Sequence, residues 1–306
     1  MTTATRTSGP RRTTVVLVAL ALYAGVLGLF VLSLGTLLGA PGGGAGARLF
    51  GGRVAIVELE GIILDVGDLL RELRAYRENP GVRAVVIRIN SPGGVVGPSQ
   101  ELHDALKRLR AAGKPVVASL GAVAASGGYY AAVAADRIYA SPGSLTGSIG
   151  VIMQLANVEA LMKKVGVEYV VVKAGQFKDV GSFSRAMTPE ERRVLQGLLD
   201  DVHAQFIDAV AAGRKLDRSA VVRFADGRVF SGAQAKALQM VDALGGLEDA
   251  IDAAAGLAGL PKPPRTIGPQ RRFSITDLLR NQLGLSGLEA LKPRLPVFKT
   301  PLYLMD

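Results

Sequence analysis

Ser126 is placed where a nucleophile would be wanted. It stands in Val123-Ala-Ala-Ser126-Gly-Gly-Tyr129-Tyr130, flanked by alanines and glycines, and good helix formers follow as far as Ala135. The apolar run Pro115–Leu120 reads as a short buried strand. Strand, small-residue turn and helix put Ser126 at a helix N-terminus. Unpaired amides and the helix dipole favour developing negative charge there, and the glycines let a substrate backbone come close. The plainer reading is a serine N-cap, the commonest job for this residue type at such a place.

A serine nucleophile needs a base. The chain has two histidines, His103 and His203, both on amphipathic stretches that read as helices, where histidine usually packs or faces water. With no cysteine in the sequence, thiol nucleophiles, disulfides and zinc-thiolate sites are excluded. The other base known to serve serine is a neutral lysine. An unperturbed lysine, with a pKa of ~10.4, is well under about one per cent neutral at pH 8, so burial or a cationic neighbour must bring it to ~7–8. Lys178 lies in Lys173-Ala-Gly-Gln-Phe-Lys178-Asp-Val-Gly-Ser-Phe-Ser-Arg185, just after a very apolar run and between Phe177 and Val180. The rival reading is a solvated surface lysine, as most are. A third requirement is a set of amides aimed at the oxyanion. Asn90-Ser-Pro-Gly93-Gly94 leaves a strand through a proline and two glycines, so its amides can face a cleft beside the backbone NH of Ser126.

These residues need a scaffold, and the chain supplies a regular one. Arg53–Leu59, Ala84–Ile89, Pro115–Leu120, Arg137–Ala140 and Glu168–Lys173 read as strands, and Ser148–Ile152 follows a turn at 141–147. Helices are expected at 66–79, from a cap at Ser99 to Gly113, after Ser126, near 157–165, from Thr188 to about Ala212, and near 218–224, 231–239 and 247–258. Thr188-Pro-Glu-Glu191 is a strong helix start, with a cap, proline at the first position and an acid at the third. Strands and helices alternating at this spacing predict an α/β fold of parallel strands with right-handed crossovers.

Around that core the sequence changes character. Of the formal +10 charge, residues 1–14 carry Arg6, Arg11 and Arg12 without an acid, and residues 261–306 carry eight Lys/Arg against Asp277, Glu289 and Asp306. The core is thus nearly neutral, and basic tails beside an apolar span suit an anionic lipid surface better than a nucleic acid. Val15–Leu38 is uncharged and long enough to cross a bilayer; a secretory signal peptide ending near Leu38-Gly-Ala40 is the rival. The chain is expected to divide into a basic cytoplasmic tail (1–14), a transmembrane anchor (15–39), a Gly/Pro linker (40–52), the main domain (53–260) and a basic, apolar tail (261–306). The positive-inside rule puts the N-terminus in the cytoplasm and the main domain outside. The last apolar run, Val297–Met305, either straps protomers together or lies in the substrate groove.

Taken together, NSPGG, AASGGYY, TGSIGV and GQFKDVGSFSRAMTPEER resemble, in order and spacing, the signal peptide peptidase SppA family in its short, single-repeat bacterial form, over roughly residues 53–260. The resemblance implies a Clp-protease/crotonase-like fold of repeated ββα units. It also implies a Ser-Lys dyad in which Ser126 is the nucleophile, Lys178 the general base and Ser148 orients the lysine. Gly94, or else Gly93, would be the oxyanion donor beside the Ser126 amide. It implies peptide substrates, above all remnant signal peptides, no cofactor, and a homo-oligomer whose active sites are shared between subunits. The competing readings are a membrane quality-control protease with other substrates, a crotonase-type acyl-CoA enzyme and a catalytically silent membrane scaffold.

Overall fold

The computed structural model describes residues 20, 22–30 and 52–268, and the backbone of Leu302–Leu304. The chain divides into two compact units, Met1–Phe50 and Gly51–Asp306. In the first, residues 22–30 are helical and exposed. No helix among the described residues is long and apolar enough to cross a membrane, and most of the expected 15–39 anchor lies outside them.

The second unit opens with β1 (Arg53–Glu60), α1 (Gly67–Glu78), β2 (Val82–Ser91), β3 (Gly93–Val95), α2 (Val96–Ala111), β4 (Val116–Ala125) and α3 (Gly127–Ala132). There follow β5 (Arg137–Ala140), β6 (Leu145–Gly147), α4 (Glu159–Lys164), α5 (Pro189–Arg214), α6 (Arg218–Val222) and β7 (Val229–Ser231). The series ends with α7 (Gly232–Ala237), β8 (Ala243–Leu244), α8 (Leu247–Leu257), β9 (Arg265–Ile267) and β10 (Leu302–Leu304). Eight strands make one mostly parallel sheet in the order β7-β6-β4-β2-β1-β9, with β5 beside β4 and β8 beside β5; the β6–β7 pair is antiparallel. This is an α/β fold with a mixed, mostly parallel sheet, consistent with the Clp-protease/crotonase-like expectation.

Alternation along the strands explains how the sheet is covered on both faces. On β2, Val85, Ile87 and Ile89 join the larger core with residues of α1, α2, α3 and α5, while Ala84 and Val86 face Ala250, Ile251, Ala254 and Ala255 of α8. A fully buried side chain of this size is worth roughly 1.5–3 kcal/mol, so the two layers hold the sheet rigid beneath the loops at its end.

The long strand β4 does the positioning. Its first half pairs with β5 and its second half with β6, both parallel. Between the halves sits Gly121, where a Cβ would lie 2.9 Å from the carbonyl oxygen of Ile89, and here the register against β2 slips. The slip sets Ser91 opposite Ala124, which carries the Asn90–Gly94 loop up against the end of β4.

Two local expectations are corrected. Ser99 does not cap α2, which starts at Val96; its hydroxyl is buried and donates to the Val95 carbonyl at 2.9 Å. Glu168–Lys173 forms no strand: these residues find no pairing partner among the described residues and lie exposed, Val170 at 75% and Val172 at 96%. Pairing with β4 ends at Gly147, and Ser148 turns away at φ 50°. By contrast, Thr188 caps α5 with a full capping box, Thr188 and Glu191 each satisfying the other's backbone NH. From the segment beyond residue 260, β9 joins the sheet beside β1, and β10 pairs antiparallel with β3, Tyr303 opposite Gly94.

Candidate active site

Ser126 ends β4 and starts α3 with φ 52° and ψ −118°. A serine rarely adopts a positive φ, and such strain persists only where the surroundings impose it. Here its NH donates to the Gly147 carbonyl at 2.8 Å while its carbonyl accepts from the Tyr130 NH at 2.8 Å. The side chain is fully buried, caps nothing, and its Oγ has no hydrogen-bond partner among the described residues. The N-cap reading therefore fails: this is a strained elbow that presents an unengaged hydroxyl.

The same geometry alters the oxyanion expectation. The Ser126 amide is spent on Gly147 and is not free for a developing oxyanion, whereas the next amides, of Gly127 and Gly128, have no acceptor among the described residues. Gly128 is required by crowding, since a Cβ there would lie 2.9 Å from the Ser91 carbonyl oxygen. Gly93 has φ 107°, and its NH donates to the buried Ser91 hydroxyl at 3.1 Å. Its neighbour Gly94 packs so tightly that a Cβ would sit 2.1 Å from the Ile63 carbonyl oxygen. Ile63 bonds the Gly93 carbonyl and the Val95 NH, so alternation along the strand turns the NH and C=O of Gly94 to the other side, toward β10.

Ser148 lies immediately after the Gly147 carbonyl that holds Ser126. It is 6% exposed and kept at φ 50° by its NH bond to the Arg228 carbonyl at 2.8 Å. Its side opens on a pocket of about 650 Å³ shared with Asp200, His203, Asp226 and Arg228. One chain thus brings together Ser126, Gly93, Gly94 and Ser148.

Lys178 is not bonded to this group. The lysine is exposed, and no hydrogen bond or ion pair joins it to Ser126 or Ser148. Its turn is a tight knuckle: the Lys178 NH donates to the Gly175 carbonyl (3.2 Å), the Val180 NH to Phe177 (3.1 Å) and the Ser182 NH to Asp179 (3.0 Å). Left-handed Gly175 (φ 94°) and Gly181 (φ 70°) bracket it. Sequence reading missed the ion network behind this knuckle. Asp179 pairs with Lys173 and accepts from Arg185 Nε at 2.9 Å; Arg185 also grips both oxygens of buried Glu191, one at 2.9 Å. Hydrogen bonds from Arg185 and Lys173 hold the Asp179 carboxyl well below the usual carboxylate range, and those from Arg185 and the Thr188 NH take Glu191 down to about 2. The only advance sign of the network is the charge pattern of the Lys173–Glu191 run.

Neither histidine serves the elbow. His103 is buried against the Tyr130 ring, centroids 4.9 Å apart, and burial lowers its proton affinity. His203 reaches the Ser148 pocket, with Nε2 enclosed and unpartnered, but no hydrogen bond links it to either serine.

The sequence profile of Peptidase family S49 matches residues 108–261, taking in Ser126, Ser148 and Lys178. The chain belongs to this family. S49 members are serine peptidases, and several are similar to this chain. A putative protease of Synechocystis, slr0021, is 47% identical over 210 residues, 68% of this chain and 75% of that protein. A putative signal peptide peptidase SppA of Enterococcus faecium is 33% identical, covering 65% of this chain and 62% of that protein. The chloroplastic serine protease SPPA of Arabidopsis thaliana is 36% identical, covering 63% of this chain but only 28% of the plant protein.

Proposed function

We propose that this S49 peptidase is a membrane-anchored endopeptidase in which Ser126 of one subunit is activated by Lys178 of a neighbour. The observation that carries this reading is the strained, fully buried elbow whose hydroxyl lacks a partner among the described residues, in a chain whose own Lys178 is exposed and not bonded to it. The exposed Tyr169–Val172 run leading to the Lys178 knuckle supports it, because a neighbouring subunit covering that run would bury the lysine and deliver it to Ser126 and Ser148.

In the reaction, the neutral amine takes the Ser126 proton as Oγ attacks the peptide carbonyl. The oxyanion rests on the amides of Gly94 and Gly127, the second replacing the engaged amide of Ser126. The ammonium protonates the leaving amine, and a water deprotonated by the same lysine releases the acyl group. Ser148 orients the amine. Substrates are extended apolar peptides, remnant signal peptides among them, consistent with the name of the Enterococcus relative. The apolar 15–38 span and Arg6, Arg11 and Arg12 before it support a single-pass anchor with the catalytic unit outside the cytoplasm.

Mixing tests the shared site. Ser126→Ala and Lys178→Ala proteins are each expected to fall below about one per cent of wild-type peptide hydrolysis, and subunits co-assembled from the two to recover a fraction of it. Dead single variants with no recovery in a verified mixed assembly would place both residues in one subunit's site and overturn the shared arrangement.

A further inference from the structure

We propose that Lys173 and Arg185 are positioning residues for Lys178, fastening its knuckle and taking up the charge of the adjacent Asp179 carboxylate. This rests on reading Lys178 as the general base. An acid next to that base is a liability, because a free carboxylate beside an amine stabilises the ammonium, and a base must lose its proton at working pH. The structure shows where that carboxylate goes. Its side chain is turned to Lys173 on one oxygen and Arg185 on the other and is only 13% exposed.

The remaining bonds give the network its direction. Lys173 Nζ also donates to the Gln176 carbonyl at 3.0 Å, inside the knuckle, and Gln176 Nε2 reaches Glu190 at 3.1 Å. Arg185 bonds the Ala186 carbonyl at 3.1 Å and Glu191, so the knuckle is tied to the capped start of α5, a rigid helix of 26 residues. The charged groups of the knuckle and the elements tied to it are Lys173, Asp179 and Arg185 on its own segment, Glu190, Glu191 and Arg193 from α5, and Glu159 with Lys163 from α4. Glu159 is occupied, accepting from Lys163 at 2.7 Å and from the Ala186 NH at 3.1 Å. Asp179 is paired with Lys173 and Arg185, and Glu191 with the same Arg185. A plain surface loop needs no such arrangement, since isolated exposed pairs contribute little stability.

The two roles separate by charge. Full-length protein in detergent is assayed for hydrolysis of an apolar peptide, with kcat/KM followed from pH 6 to 10 at low salt. Lys173→Met removes one cation and leaves the Arg185–Glu191 grip intact, so the acid limb moves to higher pH by about half a unit to one unit. Asp179→Asn moves it to lower pH, and Lys173→Met with Asp179→Asn returns it to the wild-type position. Lys173→Arg keeps the limb in place. Arg185→Lys keeps the charge but loses the two-pronged grip on Glu191, so kcat falls while the limb stays. All shifts shrink in 0.5 M salt, as screening requires. A limb that stays fixed in Lys173→Met and Asp179→Asn while their rates fall would reduce the network to a structural brace and overturn the charge role. Hydrolysis persisting in Lys178→Ala would overturn the base assignment instead, and this proposal with it.

Discussion

At the scale of single residues, the site is made by backbone conformations that most residues avoid. Ser126 holds φ 52°, a region glycine enters freely and others enter at a penalty of order 1–3 kcal/mol. Ser126→Gly is therefore expected to melt above Ser126→Ala by about 1 kcal/mol, both variants being inactive; thermal unfolding with an activity assay checks this, and equal melting points would mean the elbow is unstrained. Gly94 is the opposite case, needed for space. A methyl there would meet the Ile63 backbone at 2.1 Å, and Ile63 is itself buried and bonded on both sides of the loop. Gly94→Ala is expected to cost more than about 3 kcal/mol, or to remove activity through displacement of the loop, as denaturant unfolding would read.

Elements decide how these residues respond to pH. Asp179 and Glu191 are carboxylates lowered in the folded state by their cations and amides. Such groups add stability above their unfolded values near 4, and lose it only as pH falls through the lowered folded values. The knuckle and the start of α5 are thus expected to resist limited proteolysis equally at pH 8 and pH 5, while hydrolysis declines over the same range through protonation of the base. Cleavage within 173–187 that rises in step with lost activity would show that the segment unfolds instead. What could be read from sequence at this scale follows a physical divide. Short-range signals held: the capping box at Thr188, the small-residue turn at Ser126 and the period of α1 are local chemistry and reappear in the structure. The strand expected at Glu168–Lys173 did not form, because a strand exists only with a partner and β-branched composition cannot supply one. The engaged amide of Ser126 was equally hidden, being set by Gly147, more than twenty residues away in sequence and brought close only by β6.

At the scale of the whole molecule, the tail touches the chemistry. Backbone pairing of β10 with Gly93–Val95 covers the edge along which an extended peptide would add as a strand. A substrate must then displace a tethered competitor. Deleting residues 295–306 is expected to lower KM for a peptide severalfold, of order three- to tenfold by that competition, with kcat little changed; unchanged KM and assembly mass would separate β10 from the groove.

The bare valines at 170–172 carry a consequence for how such a protein must be made. An uncharged, β-prone stretch left in water is what promiscuous aggregation feeds on. Overproduction of the chain is therefore expected to yield insoluble deposits, and replacing Val172 with lysine to keep more of it dispersed, as the soluble fraction of a lysate would read.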